Sequence, residues 1–316
     1  MDIDLTGATS AQSPLGLLQP TTHPTARARR KRLDGFVGPT RHGSPPTQTE
    51  FAPPQEALLV LDVETVVDET LIPASFPADR FPKTAWHRVV AISFVEANIV
   101  RDRDTGLETY HITACRSGGD KSWDEPRLLR AFWKYFESRT FRCVTWNGRQ
   151  FDFPTLLQRS MIHGIAAAAW FRRGTRWAGY ETRYAGDWHT DLMDVMATYG
   201  ASSRLTLEEA AALIGLPGKL GEHGSQVADH VAAGDLERVR AYCETDALNT
   251  ALLYVRHQHL CGRIAAEAHD RTVRETMTYL EAERCRRPHL GRYLDAWRGL
   301  SGTRSAFVAD HKAGFR

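Results

Sequence analysis

The sequence predicts a mixed α/β fold built on a central sheet, and three observations predict it. Leu58-Leu59-Val60-Leu61-Asp62-Val63-Glu64-Thr65 is a near-continuous apolar run that reads as a strand covered on both faces. Two further strand-like runs, 88–95 (RVVAISFV) and 108–114 (ETYHITA), follow over short connections, which suits an antiparallel meander. An amphipathic helix then leads to a fourth run, Arg142 to Trp146, and that crossover makes the fourth strand parallel to the first.

The first strand ends in acids. Asp62 and Glu64 are two apart, so on an extended backbone both side chains leave one face while Val63 points the other way. Two like charges at the end of a buried strand are costly unless a cation neutralises them. Two oxygen-rich side chains on one rigid strand make half of a hard-metal site. D-x-E alone fits equally well a strand end that reaches water with two hydrated acids.

At 316 residues and 42% hydrophobic content, the chain can bury one substantial core plus an appendage. A formal net charge of +2 neither requires nor excludes a polyanionic partner, because local patches matter more than the sum. The five cysteines, Cys115, Cys143, Cys243, Cys261 and Cys285, are widely spaced with no C-x-x-C pair. They read as free thiols of a reducing compartment, not as a disulfide framework or a zinc site. The start, MDIDLTGATS, lacks the apolar segment of a secretory signal. No apolar run approaches the roughly 20 residues that span a bilayer. A cytoplasmic protein with no membrane partner is expected.

Residues 1–54 lack periodicity, are rich in Pro, Gly, Ser and Thr, and are expected to be a disordered tail. Their basic cluster, Arg27 to Arg32, reads as a nucleic-acid tether or as a solvated tail. Val66 to Trp86 is a Pro-punctuated loop. Asp124 and Pro126 open a helix striped by Leu128, Leu129, Phe132, Trp133 and Phe136. The fourth strand runs into Asn147-Gly148-Arg149-Gln150-Phe151-Asp152, with Pro154 and an apolar-striped helix through Ile165 behind it. Asp152 thus stands at a helix start, where a plain N-cap is the simplest role.

From Trp170 to Trp188, aromatic residues alternate with arginines, among them Arg172 and Arg173. This is the chemistry of a single-strand groove, and equally of arginine stems packed around a loop. Thr206 to Glu209 is a capping box, and a Gly-rich loop spans 215–224. On a long helix from about Leu236 to Gln258, Tyr242 and Asp246 share one face, beside an apolar stripe of Val239, Cys243, Ala247, Ala251 and Val255. A further helix runs to about Glu283, followed by a basic, aromatic stretch at 284–297.

In order, D-x-E-T at Asp62, N-x3-F-D at Asn147 and Y-x3-D at Tyr242 resemble the motifs of the DEDD superfamily of 3′–5′ exonucleases, in its tyrosine-bearing DEDDy branch. The chain is most similar to the stand-alone exonucleases related to the proofreading domain of family B DNA polymerases. HRVVAISF, VTWNGRQFD, HTDLMDV, GLPGK and YCETDALNTALLY look like recurrent blocks of that family, and the resemblance covers about Leu58 to Arg256.

The resemblance implies a ribonuclease-H-like, five-stranded mixed sheet flanked by helices. It places a nuclease domain at 55–262 and a C-terminal helical extension and tail at 263–316. It also implies hydrolysis from a free 3′ end, releasing 5′-mononucleotides from nucleic acid, single-stranded DNA above all, with a polymerase or repair protein acting in trans. Two Mg²⁺ or Mn²⁺ ions would be held by Asp62, Glu64, Asp152 and Asp246, with Asp62 bridging both and Tyr242 positioning the attacking water.

Thr65 and Phe151 would flank the terminal nucleotide, Asn147 would brace the second motif, and Lys219 would touch a phosphate. The loop holding Lys219 is not a P-loop, because Leu220 follows the lysine. Asp191 and Asp194 read as helix-start acids, and His87 and His189 as core or surface residues. A nucleic-acid-binding module without turnover and an exoribonuclease are the rival functions. A dinucleotide-binding enzyme fails for want of a strand followed by the Gly-rich turn.

Overall fold

In the computed structural model, residues 55–221, 224–300 and 305–309 are described. The tail expected over 1–54, with its basic cluster, and the last seven residues of the extension and tail expected at 263–316 lie outside the described residues.

β1 (Ala57–Val67) is the central strand of the sheet. It pairs antiparallel with β2 (His87–Arg101), and β3 (Glu108–Ser117) pairs antiparallel outside β2. On its other side β4 (Phe141–Thr145) runs parallel, as does β5 (His189–Asp191) beyond it. The order β3-β2-β1-β4-β5 is the ribonuclease-H-like arrangement. β1 continues two residues past Thr65, with a register shift between Glu64 and Thr65, so the expected loop begins only after Val67. β5 has three residues and no alternating pattern of its own to announce it.

The alternation of β1 decides which helices cover which face. Leu59, Leu61 and Val63 join a core with α1 (Glu125–Ser138), α2 (Asp152–Ile162) and α3 (Ala168–Arg172). Asp124 caps α1, accepting from the Arg127 amide at 2.9 Å. α2 stops at Ile162, three residues short of the expected end, because Gly164 adopts φ +63° and turns the chain.

Leu58 and Val60 face the opposite core, which gathers α4 (Leu192–Met196), α5 (Leu207–Leu213) and α7 (Leu236–Leu260). α6 (Val227–Ala232) packs through Val227 against Val66 and Val239. α8 (Ala266–Glu283) and α9 (Pro288–Gly299) belong to the same core through Val273, Leu280, Leu290, Tyr293 and Trp297. Thr272 donates to the Tyr110 carbonyl at 2.7 Å, and the Tyr293 hydroxyl donates to Asn249 at 2.6 Å. The C-terminal helices are therefore built into the sheet's own core. All five cysteines are free. No helix among the described residues is long and apolar enough to cross a membrane.

Candidate active site

Asp62 and Glu64 have the parity of Leu58 and Val60, so β1 turns them toward α7. There α7 crosses the sheet with Tyr242 and Asp246 one turn apart. The Cys243 thiol, between them, donates to the Asp62 carbonyl oxygen at 3.3 Å and ties helix to strand. One carboxylate oxygen from each of Asp62 and Glu64, together with the Cys243 sulfur, lies within 4.8 Å of the others.

Asp152 arrives from the far side of β1, in the first turn of α2. It is not the N-cap: Phe151 holds that position, and no side chain caps the helix. The buried Asp152 carboxylate accepts instead from the Val63 amide and stands near Asp62. The simple capping role therefore does not account for it.

A sharp turn delivers Asp152. Asn147 adopts φ +63°, and a Cβ on Gly148 would fall 2.4 Å from the Thr145 side chain, so this corner needs glycine. Asp191, at the end of β5, accepts from the Asn147 and Arg149 amides at 3.0 Å each and caps α4 at the Asp194 amide. The helix-start role expected of Asp191 is there, joined by a clamp on the second motif. A lone acid on a three-residue strand gives no sequence signal of that clamp. Asp194 pairs with Arg183 at 2.7 Å, and His189 is a buried partner of Thr145.

Burial raises all four carboxyls, and a neighbouring acid of the set adds to it for Asp62, Glu64 and Asp152. Burial, then Asp246, pushes Asp62 up to about 7. Burial, followed by the charges of Asp62 and Asp246, holds Glu64 well above the usual carboxylate range. Asp152 is raised by burial and by Asp62. Burial raises Asp246 too, against the opposing charge of Lys219. The Lys219 ammonium lies 3.4 Å from Asp246, donates to the Tyr242 hydroxyl, and sits 5.0 Å from that ring's centre.

Asp62 Oδ2 and Asp246 Oδ1 are buried and have no hydrogen-bond partner. Orphaned carboxylate oxygens in a cluster of oxygen donors are what a hard divalent cation would satisfy, so the residues present fit one.

Thr65 and Phe151 lie at one corner of this site. The Thr65 hydroxyl meets His87 Nδ1 at 3.1 Å, and the His87 ring lies 5.2 Å from Phe151 and 5.0 Å from Phe81. Phe81 is 74% exposed and sits in a loop without periodicity, which hides it in the sequence. Arg172 is exposed at the end of α3, and Arg173 donates to α1 carbonyls, including that of Phe136 at 3.0 Å. Trp170, Tyr180 and Trp188 are core residues. For Arg173 and these three rings the packing alternative describes the stretch; Trp177 and Tyr184 remain exposed.

The sheet order and the helices on both faces define a protein of the ribonuclease-H-like class. Within that class the chain belongs to the family described as predicted 3′–5′ exonuclease related to the exonuclease domain of PolB, which it matches over residues 79–297. The matched stretch includes Asp152, Lys219, Tyr242 and Asp246 and begins after Asp62 and Glu64. A family B DNA polymerase from the hyperthermophilic archaeon Pyrobaculum calidifontis is similar over 66% of this chain, at 18% identity and a TM-score of 0.43. The shared part spans 25% of that polymerase, and a likeness so distant carries no functional argument. No curated protein matches the chain significantly.

Proposed function

We propose that the chain is a metal-dependent 3′–5′ exonuclease that removes 5′-mononucleotides from single-stranded DNA, with Asp62, Glu64, Asp152, Tyr242 and Asp246 as its catalytic residues. The observation that carries this reading is the pair of buried carboxylate oxygens, on Asp62 and Asp246, left without partners in a cluster of four acids. Asp62, Glu64 and Asp246 would hold one Mg²⁺ or Mn²⁺, and Asp62 with Asp152 a second. Such ions supply charge stabilisation for the attacking and leaving oxygens of a phosphodiester.

The protein's own groups do the positioning. The Tyr242 hydroxyl, between Lys219 and Asp246, orients the attacking water by hydrogen bonding. Lys219 offsets the negative charge of the scissile phosphate. Phe151, supported by His87 and Phe81, offers a face for the terminal base, and Thr65 holds the edge of that corner.

The test is digestion of matched DNA and RNA single strands labelled at the 5′ end, with and without Mg²⁺. The expected result is a ladder that shortens from the 3′ end on DNA, only with metal. Tight binding without cleavage would identify a binding module, and preferential loss of RNA an exoribonuclease; either overturns the proposal.

A further inference from the structure

The exonuclease reading leaves unused the basic stretch after α8. It lines an open cavity of about 750 Å³ between the first half of α7 and the α8–α9 junction. The wall presents Arg238, Arg240, Arg286, Arg287, Arg292 and His289, against two glutamates.

Both glutamates are already engaged. Glu244, 6% exposed, accepts from the Ser117 amide and hydroxyl at 2.7 and 2.8 Å, from His289 at 2.8 Å and from Arg287 at 3.3 Å. It thereby fixes two of the cationic walls in place. Glu237 reaches out to Lys121 at 3.7 Å. Arg240 donates to the carbonyls of Ser117, Gly118 and Gly119, and its charge is also felt by the exposed Asp120. Arg292 is exposed and has no hydrogen-bonding or carboxylate partner among the described residues. Arg286 is 79% exposed, with Glu283 at 3.4 Å. The first turn of α9 has no side-chain cap, so its amides add to the positive field.

The cavity also extends to Tyr242. A smaller hollow lined by Tyr242, Thr245 and Leu220 shares Ala241, His289 and Arg292 with it. A strand whose end lies at Tyr242 would have this hollow as an exit and the arginines beyond it.

We propose that this cavity binds the phosphodiester backbone of the substrate strand several nucleotides from the scissile bond, so that α8 and α9 are part of the substrate-binding surface. The proposal rests on the exonuclease reading for the position of the strand's end. Arg240, the exposed Arg286 and Arg292 suit a polyanion, and the size suits more than a single phosphate.

The experiment is fluorescence anisotropy in EDTA, with labelled single-stranded DNA from about three to about twelve nucleotides long. It compares the full chain with an Arg286→Ala, Arg292→Ala double variant. Wild-type affinity should rise with length, and the variant should lose most of that gain. Its slope of log affinity against log salt should flatten by ~0.7 for each arginine removed. Arg292→Glu should weaken the longest strand further. Both side chains are exposed, so a melting curve should confirm an intact fold.

Equal affinity and equal slope on the longest strand would overturn the proposal and leave the cavity to another acidic partner. Binding is read without metal or turnover. A protein that binds with the predicted length dependence but never cleaves would overturn the nuclease reading alone. A cleaving enzyme indifferent to both substitutions would overturn the cavity alone.

Discussion

A lone buried acid and a cluster of four sit at opposite ends of the same sheet, and they are treated in opposite ways. Where β1 begins, Glu108 is met by the fully buried Arg142 at 2.7 Å, by Arg101 at 2.8 Å and by the Tyr110 hydroxyl. Burial alone would push its carboxyl above the usual range, but the Arg142 guanidinium wins and holds Glu108 down at about 2. Where β1 ends, Asp62, Glu64, Asp152 and Asp246 are all raised, Asp62 to about 7, with Lys219 as the opposing cation. The fold can place an arginine against a buried acid, and at the cluster of four it leaves oxygens unpaired. The difference is that between a structural charge and, on the proposed reading, a site that takes its countercharge from outside.

The largest effect should come from the uncompensated end. Asp62→Ala is expected to abolish strand cleavage. Without metal its melting temperature should hold or rise, since one like charge is removed from the cluster. Cleavage persisting in the purified variant would sink the site assignment. At the compensated end the reverse is expected. Arg142→Met strips Glu108 of its buried partner and leaves it Arg101 and the Tyr110 hydroxyl, and should cost up to about 3 kcal/mol of stability in denaturant unfolding. A loss of a few tenths would mean that Arg101 and water suffice for Glu108, and would remove the contrast between the two ends.

Tyr242→Phe sharpens the comparison within the site, because it keeps ring and helix and removes the hydroxyl beside Lys219. Single-turnover cleavage at saturating magnesium should fall about 10²-fold. Substrate affinity should change little, and stability by about 1 kcal/mol. Wild-type rates in a well-folded variant would reduce Tyr242 to a packing residue.

The sequence carried the parts of the site that local pattern can express. An apolar strand ending in D-x-E, a strand-turn-helix bearing Asp152 and a four-residue spacing of Tyr242 and Asp246 are all written in periodicity. Even the face chosen by Asp62 follows from the parity of Leu58 and Val60. Contacts between distant segments were not legible. Asp191 clamps the Asn147–Arg149 turn from 42 to 44 residues away, and Glu108 meets Arg142 across 34. The Thr65–His87–Phe151–Phe81 corner joins a bulged strand end, a loop and a helix start, none of which announces the others. Composition left Arg173 between a groove and a packed loop, and its hydrogen bonds to the end of α1 are a contact between distant segments.

The most direct test of the contrast is the melting temperature of the protein freed of metal, measured from about pH 5 to about pH 8 and repeated with Mn²⁺. A carboxyl raised from 3.8 to about 7, as at Asp62, lets the folded state hold more protons than the unfolded one. Its stabilising contribution is present at low pH and is lost as pH rises through that window. The Glu108 pair works the other way, and fails only as pH falls from 4.5 toward about 2. Without metal, then, the melting temperature should fall between pH 5 and pH 8. Mn²⁺ should restore it most at the higher pH, releasing protons as it binds. A metal-free curve that is flat or rising, with no response to Mn²⁺ in a folded protein, would contradict the claim that these four acids form a cation site.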